Sequence, residues 1–164
     1  METNIKFEKF TANDFSLYFE LVNNEKVMEM ITERALEKDE AAVEFEKIIK
    51  NNNVDKNCGN FKIIDTITNR FLGLAKLQIQ HEYGKEAELG YMILPPHWGK
   101  GIGSKTATQL IAKAKKDTQL EKLFAIIDPK NSPSRKILVN NGFISKELRD
   151  FDGLPGEILE LTLM

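Results

Sequence analysis

Hydrophobic and polar positions change their period along the chain, and each change predicts a new element. Residues 5–10 alternate as a half-buried strand does, and residues 15–22 place apolar side chains at helical spacing. A second short helix or turn follows at residues 27–31. The apolar stripe over residues 37–50 predicts an amphipathic helix that ends at the asparagine run 51–53. We therefore expect the amino-terminal third to be largely helical.

The rest of the chain reads mainly as strands. Two strand-like runs, residues 61–65 and 71–79, are joined by a hairpin connection, and a third runs over residues 87–94. Pro95 and Pro96 stop that strand because proline has no N–H to donate to a ladder. The remaining segments are a helix at 106–114, a strand at 123–127, a helix at 131–140, and strands at 143–148 and 157–163. This pattern predicts one α+β domain, residues 1–164, around a mixed sheet.

Composition narrows the class of protein. The chain is 41% hydrophobic and 29% charged, which is ordinary for a soluble globular protein. A net charge of −2 argues against non-specific nucleic-acid binding, which needs a basic excess. The single cysteine, Cys58, excludes an internal disulfide, and no apolar run approaches the roughly 18 residues that cross a bilayer. We expect a cytoplasmic protein with neither a nucleic-acid nor a membrane partner.

The segment from Pro95 to Ser104 carries the strongest chemical signal. Gly99, Gly101 and Gly103 allow a tight turn, and the helix that follows directs its unpaired N–H groups and positive dipole end toward that turn. A pyrophosphate is the natural occupant of such a site.

Spacing separates the phosphate-binding loops that share this composition. A P-loop needs a glycine directly before Lys105 and Thr106, where this chain has Ser104. A dinucleotide fingerprint that starts at Gly99 needs its third glycine at the same position. Both patterns fail at Ser104, and a flexible turn before a helix stays open as the simpler alternative.

The loop resembles the acyl-CoA loop of the GNAT family of N-acetyltransferases, Gln/Arg-x-x-Gly-x-Gly/Ala, with Gly101 and Gly103 at the glycine positions. Trp98 takes the first position, as in the Trp-Gly-Lys-Gly variant of the RimJ/RimL-like ribosomal-protein-alanine branch. The segment 131–143 resembles the family's Asn-x-x-Ser/Ala segment that ends in Gly-Phe. The preceding strand at 88–95 and the closing hairpin are also similar, so the resemblance covers essentially the whole chain.

The resemblance implies a fold and a co-substrate. The fold would be the α/β three-layer acyl-CoA N-acyltransferase fold, with a mixed sheet of about seven strands splayed between strands 4 and 5. Acetyl-CoA would enter the gap between the strands at 88–94 and 123–127, with no metal required. The positions assigned to it by resemblance are Ile93, whose N–H would face the thioester oxygen, and Trp98, Gly99, Lys100, Gly101, Ile102, Gly103, Ser104 and Asn131.

Acyl transfer to an amine needs a proton acceptor and a proton donor. Glu88 is the candidate base, although a structural ion pair with a neighbouring Lys or Arg is the other role open to it. Many family members have a tyrosine donor seven residues after the asparagine, where this chain has Leu138. Ser134 is the substitute acid that the resemblance implies. Capping the helix is the alternative role for Asn131 and Ser134.

The acceptor pocket is implied to lie between residues 27–36 and 149–156. Met28, Met30 and Ile31 predict an apolar wall. Acidic residues that could attract a cationic amine, or simply be solvated, are Glu29, Glu33, Asp150 and Asp152. A protein amino terminus, a polyamine, an amino acid and an aminoglycoside all remain open as acceptors. The alternative function is a catalytically silent acyl-CoA-binding module, and exposed strand edges make a homodimer plausible.

Overall fold

A seven-stranded sheet and five helices account for most of residues 3–163, which this computed structural model describes with the side chain of Asp117 left aside. The strands are β1 (Ile5–Lys9), β2 (Gly59–Asp65), β3 (Phe71–Gln78), β4 (Glu86–Ile93), β5 (Lys122–Ile127), β6 (Ile144–Phe151) and β7 (Leu154–Thr162). The helices are α1 (Phe15–Val22), α2 (Glu25–Met28), α3 (Lys38–Asn51), α4 (Ile102–Asp117) and α5 (Ser132–Asn140).

The sheet is mixed, in the order β1-β2-β3-β4-β5-β7-β6. Every neighbouring pair is antiparallel except β4 and β5. These two pair only where Glu86, Ala87 and Glu88 lie beside Lys122, Leu123 and Phe124. Beyond that point each strand continues without pairing to the other, so the sheet splays at its parallel junction.

Helices cover both faces of the sheet. On one face the buried residues of α1, α2 and α3 form a cluster with Leu74 and Leu94. On the other face α4 and Leu138 of α5 pack on alternate strand residues such as Leu77 and Leu89. Because strand side chains alternate between faces, two separate apolar clusters result. This arrangement confirms the predicted three-layer architecture with a mixed sheet.

The helix termini have identifiable causes. The side chain of Asn24 accepts hydrogen bonds from the N–H groups of Lys26 and Val27, which starts α2. Asn131 starts α5 in the same way, with Pro133 in the first turn. None of the helices within residues 3–163 combines the length and apolar character that a membrane crossing demands.

Several boundaries differ from the sequence prediction, and two of them affect the site. The helix predicted at 106–114 begins at Ile102, because Gly101 takes a left-handed conformation with φ of 76° and the helix starts directly after it. The last strands extend toward each other until only Asp152 and Gly153 separate them, with φ of 52° and 90°. Two consecutive positive φ values are typical of a tight hairpin turn, for which Asp-Gly is a preferred residue pair.

Candidate active site

The splay between β4 and β5 opens a cavity of about 1600 Å³. Its lining comes from both strands, the glycine loop, the first turn of α5, the α2 region and the β6–β7 hairpin. Ordinary ligand pockets occupy roughly 300 to 1000 Å³, so this cavity is large enough for two substrates.

The glycine loop forms one wall of the cavity through its backbone. Gly99 and Gly101 have φ of 75° and 76°, and a Cβ at either position would meet no atom within 4 Å. Glycine is therefore required here by backbone conformation and not by crowding. Gly99, Gly101, Gly103 and Ser104 all line the cavity at the start of α4, where free N–H groups favour an anion.

Three residues in or next to the glycine loop differ in what they can contribute. Ile102 lines the cavity, but its side chain is 3% exposed and belongs to the core, so it offers only its backbone. Lys100 is exposed and is not among the cavity-lining residues. Lys105, just after the loop, donates a hydrogen bond from Nζ to the carbonyl oxygen of Thr3.

Trp98 is tied to the end of β4. Its Nε1 donates to the carbonyl oxygen of Ile93 at 2.7 Å, while the residue stays 49% exposed at the cavity. The N–H of Leu94 donates to Leu72 on β3. The backbone N–H and C=O groups of successive strand residues point alternately toward one neighbouring strand and the other. Since those of Leu94 point toward β3, those of Ile93 face away from β3, toward the splay. Trp98 thus satisfies a carbonyl that the splay separates from β5.

A hydrogen-bonded chain links β4 to the first turn of α5. The hydroxyl of Tyr91 donates to Ser134 Oγ at 3.2 Å. The N–H of Ser134 donates to Asn131 Oδ1 at 3.3 Å. Asn131 therefore caps the helix, which is the alternative role that the sequence left open for it. Burial raises the pKa of Tyr91 and outweighs the lowering that Ser134 would cause by donating to a phenolate, so the phenol is protonated at neutral pH and can act as the donor. Leu138 is buried in the core next to this site.

Glu88 lies on β4 and lines the cavity from the face that carries α1 to α3. Its Oε2 is 3.0 Å from Nζ of Lys76 on β3, with side-chain exposures of 19% and 27%. The ion pair that the sequence left open as the alternative role is therefore present. Both side chains still reach the cavity, so the pairing leaves Glu88 accessible to an acceptor.

Lys76 is the functional candidate that the sequence prediction missed. It lines the cavity beside Glu88, and Gly90 lies directly opposite it on β4. A Cβ at Gly90 would come within 3.1 Å of Lys76 Cε, so the glycine gives the lysine stem its path to Glu88. The strand pairing places Gln78 opposite Glu88 and Lys76 two pairs farther along on the same face, and no local sequence pattern signals this.

The predicted acceptor wall is present in part. Met28, Met30 and Ile31 line the cavity, as do Phe151 and Leu154 of the closing hairpin. The acidic candidates divide: Glu29 is a lining residue, whereas Glu33, Asp150 and Asp152 are not. The part of the wall that these residues form is thus mainly apolar.

Cys58 is remote from this chemistry. It is buried, lies outside the main cavity, and burial raises the pKa of its thiol to about 12. A thiol that stays protonated is a poor nucleophile. Within residues 3–163 no three His, Cys, Asp or Glu side chains cluster closely enough to hold a metal ion.

Comparison with known sequences gives an independent test. The sequence model of the acetyltransferase (GNAT) domain matches residues 4–144. The uncharacterized N-acetyltransferase p20 of Bacillus licheniformis is 28% identical over 119 residues, and the uncharacterized N-acetyltransferase YoaA of Bacillus subtilis (strain 168) is 25% identical over 76 residues. These alignments cover 71% and 46% of this chain, and they span 66% and 43% of the two relatives.

Solved structures confirm the fold. An acetyltransferase (GNAT family) from Bacillus anthracis superposes with a TM-score of 0.78 at 18% identity, over 99% of this chain and 96% of that chain. Spermidine N-acetyltransferase from Vibrio cholerae, solved with CoA and spermine, gives 0.80 at 17% identity, over 97% and 95%. At these identities the likeness concerns the fold, and it agrees with the acyltransferase fold that the sequence predicts.

Proposed function

Because this chain belongs to the GNAT family of acetyltransferases, which use acetyl-CoA, we propose that it moves an acetyl group from acetyl-CoA to a primary amine by direct attack. The observation that carries this proposal is the convergence of three groups on one cavity. The glycine loop, the end of β4 at Ile93 and the first turn of α5 at Ser134 all line it. An acyl-CoA needs an anion site, an oxyanion donor and a proton donor, and these three elements can supply them in that order.

The residues assigned to acetyl-CoA from the sequence keep their roles in this proposal. Backbone N–H groups of residues 99–104 hold the pyrophosphate, and Trp98 keeps the end of β4 in place by its bond to Ile93. The Ile93 N–H stabilises the charge that grows on the thioester oxygen. Asn131 fixes the turn that carries Ser134. Acetyl-CoA, when bound, supplies the activated acetyl group.

Two side chains, Glu88 and Ser134, account for every proton that moves in the reaction. Glu88 takes one proton from the ammonium group, the amine nitrogen bonds to the thioester carbon, and the C–S bond breaks. The CoA thiolate takes a proton from Ser134 Oγ. The new amide gives up a second proton, which restores Ser134, and Glu88 returns its proton to solvent.

Tyr91 supports Ser134 as the donor in place of the tyrosine that Leu138 replaces. Since the Tyr91 hydroxyl donates to Ser134 Oγ, the hydrogen of Ser134 is left for another acceptor, and Ser134 lines the cavity. A serine held in this way can donate while it accepts from the phenol.

Further parts of the proposal rest on narrower support. The Trp-Gly-Lys-Gly sequence supports the RimJ/RimL-like branch. The exposed strand β6 at the sheet edge supports a homodimer. We also propose that residues 1–164 form one domain and that the protein is cytoplasmic.

The test is acetyl-CoA-dependent release of free thiol with a panel of amines, together with calorimetric CoA binding by wild type, Glu88→Gln and Ser134→Ala. We expect acceptor-dependent release, a loss of about 100-fold in kcat for each variant, and CoA dissociation constants within twofold of wild type. A silent binding module would bind CoA and show no release with any amine. A protein that does not bind CoA would overturn the assignment of the glycine loop.

A further inference from the structure

Lys76 and Glu88 present one cation and one anion side by side to the same cavity. They project from adjacent strands on the same face of the sheet, and their charged atoms are 3.0 Å apart. Neither side chain is sealed in the core, since both line the cavity. The neighbouring polar pair is engaged internally, because Asn60 Nδ2 donates to Gln78 Oε1 at 3.0 Å.

The walls of the same cavity are apolar where the acceptor would lie. They come from the α2 region and the closing hairpin, and include Val27, Met28, Met30, Ile31, Phe151 and Leu154. Burying an apolar ligand body against such walls is favourable, whereas a body rich in hydroxyl or amino groups would lose hydration without gaining partners. This chemistry disfavours an aminoglycoside.

The charges that line the cavity balance. The basic residues are Lys26, Arg34, Lys47, Lys76 and Lys130, and the acidic residues are Glu29, Glu40, Glu44, Glu88 and Asp128. Two further pairs are internal, Arg34 with Glu40 and Lys47 with Glu44. A polyamine carries several positive charges and needs an acidic excess, which these side chains do not provide.

We propose that the acceptor is a free α-amino acid with an apolar side chain, which rests on the proposed N-acetyltransferase function. Its ammonium and carboxylate groups lie on one carbon, so they match Glu88 and Lys76 as an adjacent pair. On binding, the ammonium replaces Lys76 at Glu88 and the carboxylate replaces Glu88 at Lys76. Both protein charges stay paired, which avoids leaving a partly buried charge alone. The ammonium then stands beside the base that deprotonates it.

The same reasoning disfavours a protein amino terminus. Its amine has no carboxylate on the same carbon, so its binding to Glu88 would leave Lys76 without an anion. Lys76 is therefore the residue that separates the two acceptor classes.

The test compares L-leucine with L-leucinamide, two acceptors of nearly equal size that differ in the carboxylate. The amine of the amide is the more easily deprotonated of the two, so a preference for the acid reports recognition and not intrinsic reactivity. We expect wild-type kcat/KM for L-leucine to exceed that for L-leucinamide at least tenfold, and spermidine to be slower than L-leucine.

Lys76→Met should lower kcat/KM for L-leucine at least tenfold, mainly through KM, and should abolish the preference over L-leucinamide. Lys76→Arg keeps the positive charge and should retain part of the preference for L-leucine. Lys47→Met is the matched control, because it removes another lysine of the same cavity that is exposed and paired with Glu44. It should keep the preference, and CoA affinity should change less than twofold in all three variants.

Two results would overturn the amino-acid acceptor while leaving the proposed function intact. They are a faster reaction with L-leucinamide or spermidine than with L-leucine, and an unchanged leucine-to-leucinamide ratio in Lys76→Met. If no amine is turned over, calorimetry of L-leucine with the CoA-saturated protein decides. Absence of binding at millimolar L-leucine, or equal affinity in wild type and Lys76→Met, refutes the inference, whereas failure to bind CoA refutes the proposed function itself.

Discussion

At the residue scale, one hydroxyl connects β4 to the first turn of α5. Tyr91 on β4 reaches Ser134 on α5, and its ring lies 3.2 Å from the position of a Cβ on Gly103. The packing of the ring and the hydrogen bond of the hydroxyl can therefore be tested separately.

Tyr91→Phe keeps the ring and removes the donor to Ser134 Oγ. We expect kcat to fall about three- to tenfold, as the loss of one hydrogen bond of roughly 0.5–1.5 kcal/mol in the transition state implies. CoA affinity should stay within twofold. Tyr83→Phe is the control, since Tyr83 is 83% exposed and outside the main cavity. Steady-state kinetics at saturating acetyl-CoA measure both, and an unchanged kcat in Tyr91→Phe would remove Tyr91 from the account.

Asp14 supplies a pH-dependent part of stability. Burial alone would raise the pKa of its carboxyl, but hydrogen bonds from the Thr11 N–H and from Lys62 outweigh burial and lower it. A depressed pKa stabilises the folded state above the ordinary value of 3.8, and the contribution disappears as pH falls through the lower folded value. We expect Asp14→Asn to lose about 1 kcal/mol of unfolding free energy at pH 7. Urea unfolding should show the two proteins converging below pH 3.8, and a constant difference down to pH 2 would contradict this assignment.

Sequence reasoning reached some site residues and missed others for a physical reason. Ser134 and the loop glycines were predicted because their spacing matches a motif, and Glu88 because it is a carboxylate on the strand before the loop. Their catalytic and binding roles stay predictions. Lys76 has no motif around it. Its position beside Glu88 depends on the β3–β4 register and on the space above Gly90, neither of which a local pattern contains.

At the element scale, the start of α4 depends on a backbone conformation that only glycine adopts easily. Gly101 has φ of 76° and precedes Ile102, the first residue of the helix. Gly153 has φ of 90° in the β6–β7 turn, and neither position crowds an added Cβ. The two glycines therefore share the same backbone requirement, but only Gly101 lies at the cavity.

Gly101→Ala and Gly153→Ala should each lower the free energy of unfolding by roughly 1 kcal/mol, because a left-handed conformation is strained for alanine. Only Gly101→Ala should weaken CoA binding, since it reorients the N–H groups at the start of α4. Chemical unfolding and calorimetry measure the two effects. Equal CoA affinity in both variants would show that the loop backbone does not hold the cofactor.

Periodicity predicted the type of each element, while the ends were set by features that it does not contain. The helix at 106–114 was predicted four residues short at its start because Ile102 and Gly103 follow a glycine run that reads as a loop. The closing hairpin was predicted, but its two strands were predicted short beside the turn because polar residues fill the exposed edge strand β6. Local sequence does not show which face of such a strand is covered.

At the scale of the whole molecule, the site exists because one parallel junction fails to close. The strands β4 and β5 pair over three residues each and then diverge, which exposes backbone groups at the centre of a sheet. The splay was predicted from a family resemblance, because no side-chain pattern within either strand distinguishes a splayed pair from a closed one. The volume of the cavity and its balance of charge emerged only from the assembled fold.

The most direct test of the central claim is to follow the acetyl group itself. Protein, acetyl-CoA labelled in the acetyl group and L-leucine are incubated together, and the amine product and free CoA are quantified by mass spectrometry. We expect labelled acetyl on the leucine nitrogen in equal amount to the CoA released, with almost none from Glu88→Gln. CoA release without labelled acetyl-leucine would show hydrolysis instead of transfer to this amine, and would contradict acetyl transfer to L-leucine.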